Sequence, residues 1–228
     1  DEARVPVLTR SEVTSVTDEG DGAGHQILIS EDGHEFTVRA HNLIFASGGF
    51  NRSPERRARL LPGHDLDWCP GAPGHTGQAH DLIDHLGGRY GTAGLAHTYY
   101  APVSRRRRPD GSWAVFPHFV MDRAKPHMVV IDQNGHRYLN ESTSYHLFGM
   151  RMVQHDHETP GRSVPSFLIT DAEGMRRYGL GMVHPFQSER KLAAEVESGY
   201  LLRGDSIAEL AEALGVPVAE LSRTIERT

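Results

Sequence analysis

In NLIFASGGF, residues 42–50, a continuous apolar run from Asn42 to Ser47 meets two glycines, Gly48 and Gly49. Such a run fits a strand buried on both faces, because a half-exposed strand alternates polar and apolar residues. Gly48 and Gly49 carry no Cβ and let another backbone or a ligand approach closely. The pair alone leaves both a tight turn and a nucleotide contact open.

Upstream, VPVL, EVTSV, GHQILIS and HEFTVRA are short and β-branched or alternating, with GDGAG and EDG as turns between them. They predict a small antiparallel meander leading into residue 42. Downstream, Ser53 is placed to cap a helix whose first position is Pro54. A second glycine-rich stretch, Gly71 to Gly77, opens a segment whose apolar positions 79, 82, 83 and 86 share one helical face, with Gly87 and Gly88 to stop it. A helix N-terminus offers free N–H groups to anions or an electron-rich ring edge, and a structural turn is the alternative.

Past residue 95 the pattern changes character, so the boundary is placed there: 1–94 and 95–228. The stretch to about 120 reads as irregular, aromatic and proline-containing, and Arg105 to Arg108 read as a solvated loop before a Pro-Asp-Gly turn, with an anion or phosphate contact as the alternative. Met128 to Asp132 and His136 to Leu139 flank Asn134-Gly135, a hairpin signal. Ser142 to Val153 read as helix and Ser166 to Thr170 as strand. At the end, Ser206 with Glu209 forms a capping box, Gly215 stops that helix, and Pro217 suits the start of another.

The 228 residues carry a formal net charge of -6, which gives no general attraction to nucleic acid. No apolar run approaches the roughly 20 residues a membrane span needs. The single cysteine, Cys69, excludes an intrachain disulfide and fits a reducing cytoplasm. GxGxxG, GxSxG, HExxH and P-loop patterns are absent. Fifteen histidines, densest at His155-Asp156-His157, raise a metal reading, but neighbours in a loop rarely converge on an ion, and no metal is expected.

Glu141 and Tyr145 are one helical turn apart, so a helix from Ser142 would let both face one side. A tyrosine serves as a base only where its phenol, with a pKa of about 10 in water, is lowered by hydrogen bonds or positive charge. A solvent-exposed pair is the plainer alternative.

Taken together, Asn42 to Phe50, the basic helix that follows it and Leu61-Pro62-Gly63 resemble the strand and Gly-Gly turn of the flavoprotein superfamily of fumarate reductases and 3-ketosteroid dehydrogenases. Gly74-His75-Thr76-Gly77 is similar to that family's second flavin loop, and Gly135 to Glu141 to its hairpin signature ending in Asn-Glu. The likeness runs on through Tyr178 and the helical pair from Ala208 to Glu226. The ketosteroid-dehydrogenase branch is the nearer one, since Tyr145 falls where those enzymes carry a catalytic tyrosine. The fumarate-reducing branch expects an arginine in this region.

The resemblance implies an α+β fold: part of a Rossmann-like FAD-binding domain with a β-meander over 1–94, followed over 95–228 by a mixed α+β cap for substrate. FAD is the implied cofactor, held by Ala46, Ser47, Gly48, Gly49, Gly74, Thr76 and Gly77. The implied activity is dehydrogenation of a carbon–carbon bond next to a carbonyl in a steroid-like substrate, with hydride passing to flavin N5 and a proton to Tyr145. Glu141 joins Tyr145 as a candidate catalytic residue. Tyr99, Tyr100, Phe116, His118 and Phe119 are the candidate substrate wall, with core packing as the alternative.

The resemblance also implies an internal piece of a longer protein, with the dinucleotide fingerprint before Asp1 and the last FAD segment after Thr228. On that reading the chain alone has no turnover, binds FAD weakly or not at all, and self-associates through exposed interface. A fumarate-reductase-like flavoprotein and a non-catalytic module that keeps the cap fold are the rival readings.

Overall fold

A computed structural model describes residues 5–61, 65–91 and 99–228. They fall into two compact units, Asp1–His97 and Thr98–Thr228. Pro62, Gly63 and the expected boundary at 94/95 lie outside the described residues.

The first unit is built on strands β1 (Ser11–Asp18), β2 (His25–Glu31) and β3 (His34–Ala40), which pair antiparallel in the order β1-β2-β3. This is the expected meander, without a strand at VPVL, where Val5 and Val7 are exposed. Alternate residues Val16, Ile27 and Ile29 turn to one face and are buried. Helix α1 (Pro54–Leu60) starts as expected, Ser53 Oγ accepting a hydrogen bond from the Arg56 amide at 3.3 Å. Helix α2 (Gln78–His85) presents Leu82 and Leu86 to the core of the meander.

Residues 42–47 form no strand and pair with none among the described residues. Leu43 and Phe45 pack on the meander, whereas Ile44 is 86% exposed. The doubly buried strand is thus replaced by a segment with one face covered. An apolar run buries both faces only where neighbouring strands or helices cover them.

The second unit contains β4 (Val103–Arg107) and β5 (Trp113–Pro117), an antiparallel pair, then α3 (Val120–Arg123), β6 (Met128–Ile131), α4 (Tyr145–Glu158), β7 (Phe167–Thr170), α5 (Ala172–Tyr178), α6 (Glu189–Glu197), α7 (Ile207–Leu214) and α8 (Val218–Glu226). The architecture is α+β, with eight α-helices and three small antiparallel sheets among the described residues. Its core joins Val129, Ile131 and Ile169 of the β6–β7 pair to Ala211 and Leu221 of α7 and α8. No helix among the described residues is long and apolar enough to cross a membrane.

Three local expectations change. The arginine run is not a solvated loop: Arg105 and Arg107 stack over the Trp113 ring at 4.1 and 4.8 Å, and Arg106 pairs with Glu195. Apolar stems let these arginines line a strand while their charged ends find partners. Asn134-Gly135 does form a turn, with the Gly135 amide bonded to the Asp132 carbonyl and Gly135 at φ +82. The strand beside β6 is nevertheless β7, not residues 136–139. Finally, α4 starts at Tyr145 rather than Ser142, with Ser144 as its N-cap.

Candidate active site

In the first unit the two glycine turns lie together. The imidazole of His75, from the second turn, lies against Gly48, and the Arg52 amide donates to the His75 carbonyl at 2.8 Å. Gly48 is at φ +86, and a Cβ there would come within 2.8 Å of the His75 ring. Ala46, Ser47 and Gly48 are exposed, and neither Gly49 nor Gly74 has any atom within 4 Å of where its Cβ would stand. Gly77 caps α2 in a left-handed conformation with no side chain to occupy the helix's first amides. The Nδ1 atom of His75 is buried without a hydrogen-bond partner among the described residues. Open backbone at Gly49 and Gly74 and an orphaned ring nitrogen fit a flat, polar-edged cofactor such as a flavin, whereas Gly77 is buried against Arg56 and Phe50.

In the second unit the candidate residues gather around the start of α4. The Phe119 ring meets the Tyr145 ring edge-on, centroids 5.2 Å apart. His146, the next residue, has Tyr99 at 5.0 Å and stacks with Tyr100 at 6.2 Å, and its Nδ1 accepts from the Tyr100 amide. Tyr100 crosses α4 at Gly149, where a Cβ would fall 2.5 Å from the Tyr100 Cβ. Tyr145 is 38% exposed and Tyr99 75%.

Phe116 and Phe119 line a cleft of about 360 Å³ with Met121, Asp122, Lys125, Tyr178 and Val183. His118 is buried in a polar chain beside that cleft. Its Nδ1 pairs with Asp122, its Nε2 with Ser104 Oγ at 2.8 Å, and Ser104 Oγ with the Tyr200 hydroxyl at 2.8 Å. Tyr200 in turn accepts from the Met182 amide. These bonds leave His118 occupied within the wall.

Glu141 and Tyr145 do not share a face. Glu141 is buried, accepts from the Val130 amide at 2.9 Å and holds Arg137 Nε and Nη2 at 3.0 and 2.5 Å. Burial works to raise its carboxyl, but Arg137 and the Val130 amide outweigh it and keep the group below the usual carboxylate range. Glu141 therefore ties the loop before α4 to β6 as a charged acceptor.

Arg123 was not among the residues singled out from the sequence. It is 1% exposed, and its Nε, Nη1 and Nη2 donate to the carbonyls of His118, Glu141 and Thr143 at 2.9, 2.6 and 2.9 Å. Its neighbours in sequence, Asp122 and Lys125, are charged and give no sign that it is buried. Among the described residues no group of three or more His, Cys, Asp or Glu is arranged to hold a metal ion; His155 instead bonds Asp132 at 3.2 Å.

Comparison with known proteins sets these features in a family. Residues 1–228 match the model of the FAD binding domain family over their whole length. The chain is 32% identical to 4-oxocyclohex-2-ene-1-carboxylate 5-dehydrogenase from Sinomonas cyclohexanicum, across 98% of this chain and 38% of that protein. It is 28% identical to 3-oxosteroid 1-dehydrogenase from Mycolicibacterium smegmatis, across 99% of this chain and 40% of that one. Its fold is similar to that of 3-ketosteroid delta1-dehydrogenase from Sterolibacterium denitrificans, solved with 1,4-androstadiene-3,17-dione, with a TM-score of 0.71 at 24% identity, over 95% of this chain and 38% of that one.

The chain belongs to the FAD-binding-domain family of flavoprotein oxidoreductases, with ketosteroid dehydrogenases and related ring-ketone dehydrogenases among its relatives. FAD is the cofactor of that family. The chain spans about two fifths of the length of the curated relatives it matches.

Proposed function

We propose that the protein containing this chain dehydrogenates a carbon–carbon bond next to the carbonyl of a flat, steroid-like ring ketone. Tyr145 is the group that takes the proton from the carbon beside the carbonyl. The observation that carries this reading is the Tyr145 phenol, partly open to solvent, against an aromatic ring that also lines an apolar cleft. A proton acceptor must reach both its substrate and a route to water; Tyr145 is partly exposed and touches the cleft through Phe119 rather than lining it.

Bound FAD supplies the hydride acceptor at its N5 position, and Ala46, Ser47, Gly48, Gly49, Gly74, Thr76 and Gly77 are the residues that would hold it. Phe116 and Phe119 offer flat apolar surface to the ring system, and Tyr99 and Tyr100 brace the start of α4 through His146. Glu141 acts on the reaction through the backbone it anchors. The relatives at 32% and 28% identity both act, by their names, on cyclic oxo compounds, which supports the ketone. Self-association is proposed through the apolar segment around Ile44.

The test is to supply the full-length, FAD-loaded protein with a 3-oxosteroid and an artificial electron acceptor. Formation of a ring double bond beside the carbonyl is the expected result. Reduction of fumarate by the protein, without ketone desaturation, overturns the proposal.

A further inference from the structure

We infer that Arg123 is the positioning residue that sets the Tyr145 phenol, an inference that rests on Tyr145 being the proton acceptor. One buried guanidinium bonds three main-chain carbonyls from two separate segments. The His118 carbonyl directly precedes Phe119. The Glu141 and Thr143 carbonyls belong to the loop that delivers Tyr145 to the first position of α4. Those segments carry the two rings that meet edge-on at 5.2 Å. A single rigid group thus fixes both partners of the contact.

The choice of arginine follows from the geometry. A planar fork can address carbonyls in three directions at once, whereas a lysine ammonium is a point charge on a flexible stem. The Phe148 ring lies under the guanidinium at 3.9 Å and holds its plane. The charged groups facing Arg123 are its helix neighbour Asp122 and, from the loop, Glu141, and each is already engaged, by His118 and Arg137 respectively. Arg123 is therefore free to spend its donors on the backbone.

Misplacing a reacting group by about 1 Å costs on the order of 100-fold in rate. In the full-length, FAD-loaded protein, Arg123→Lys is expected to lower kcat for ring-ketone desaturation by about that factor while KM moves less than about threefold. A second readout does not depend on the reaction: 3-fluorotyrosine placed at position 145 and observed by fluorine NMR. The unaltered protein should give one narrow resonance, and Arg123→Lys a broadened or split one displaced toward free fluorotyrosine. Phe148→Leu keeps every donor but removes the ring beneath them, and should displace the same resonance part of the way; it serves as the deciding variant if Arg123→Lys fails to fold. A folded Arg123→Lys, or failing that Phe148→Leu, with an unmoved resonance overturns the inference. If the protein desaturates no ketone at all, the functional reading fails, while the resonance still decides whether Arg123 orders Tyr145.

Discussion

The ring of Phe119 approaches the ring of Tyr145 edge-on, and the same Phe119 lines the cleft beside it. Aromatic pairs in this geometry contribute about 0.5–1.5 kcal/mol beyond burial of area. Phe119→Leu keeps an apolar wall but loses the ring edge, so kcat for ketone desaturation is expected to fall by roughly 2- to 12-fold. Steady-state kinetics check this. An unchanged kcat means that the ring contact does not orient the phenol.

Glu141 gives a stability prediction. Its carboxylate is buried with the Val130 amide and the Arg137 guanidinium as partners. Glu141→Gln keeps the shape but removes the charge that both donors address, and should cost about 1–3 kcal/mol in chemical denaturation. A freely solvated glutamate at this position would instead change stability by no more than about 0.5 kcal/mol.

Acid should act on the second unit through Asp132. Burial works to raise that carboxyl, but the His136 amide, Arg162, His155 and the Asn134 amide together hold it below the ordinary range. A depressed folded pKa contributes stability above the unfolded value of about 3.9 and loses it as pH falls toward the folded value. Stability should therefore decline below about pH 4, and the gap between the unaltered chain and Asp132→Asn should narrow there. Denaturation curves across pH 2 to 7 measure it; a gap that stays constant contradicts the assignment.

At the alkaline end, burial pushes the Tyr138 phenol up to about 12, against a hydrogen bond with Ser166 that favours the charged form. A raised folded pKa means stability that is complete below the unfolded value of about 10 and lost as pH climbs between the two. Tyr138→Phe lacks this dependence, so its stability should fall less steeply than that of the unaltered chain over that interval. Parallel curves for the two proteins rule the assignment out.

Gly48→Ala tests the first unit. The new methyl would meet the His75 ring at a left-handed backbone position, costing on the order of 1–3 kcal/mol. In the full-length protein the variant should also purify with less FAD. Normal FAD content in a folded variant argues against Gly48 as a cofactor contact.

Much of this was legible in the sequence where local chemistry decides. The Ser53 and Ser206 caps and the left-handed Gly215 depend on residues within a few positions of one another, and the meander on strands that follow directly in sequence and pair with their neighbours. Misreadings arose where distant groups compete. Asn134-Gly135 bends the chain as its residues demand, but the Val130 amide of β6 goes to the Glu141 carboxylate, Arg137 is held by that same carboxylate and Tyr138 by Ser166, so residues 136–139 form no strand and the partner of β6 is β7. The run at residues 42–47 is apolar enough for a buried strand, yet strand pairing is a property of neighbours, not of the run. Arg123 was invisible for the same reason: three carbonyls brought together by folding leave no pattern in residue spacing.

The most direct measurement of the central claim is the rate of ketone desaturation by Tyr145→Phe in the full-length, FAD-loaded protein. The substitution removes one hydroxyl from a partly exposed ring and should leave folding and FAD content intact. Loss of a positioned proton acceptor predicts a fall in kcat of about 10²- to 10⁴-fold. Turnover close to that of the unaltered protein would contradict the account.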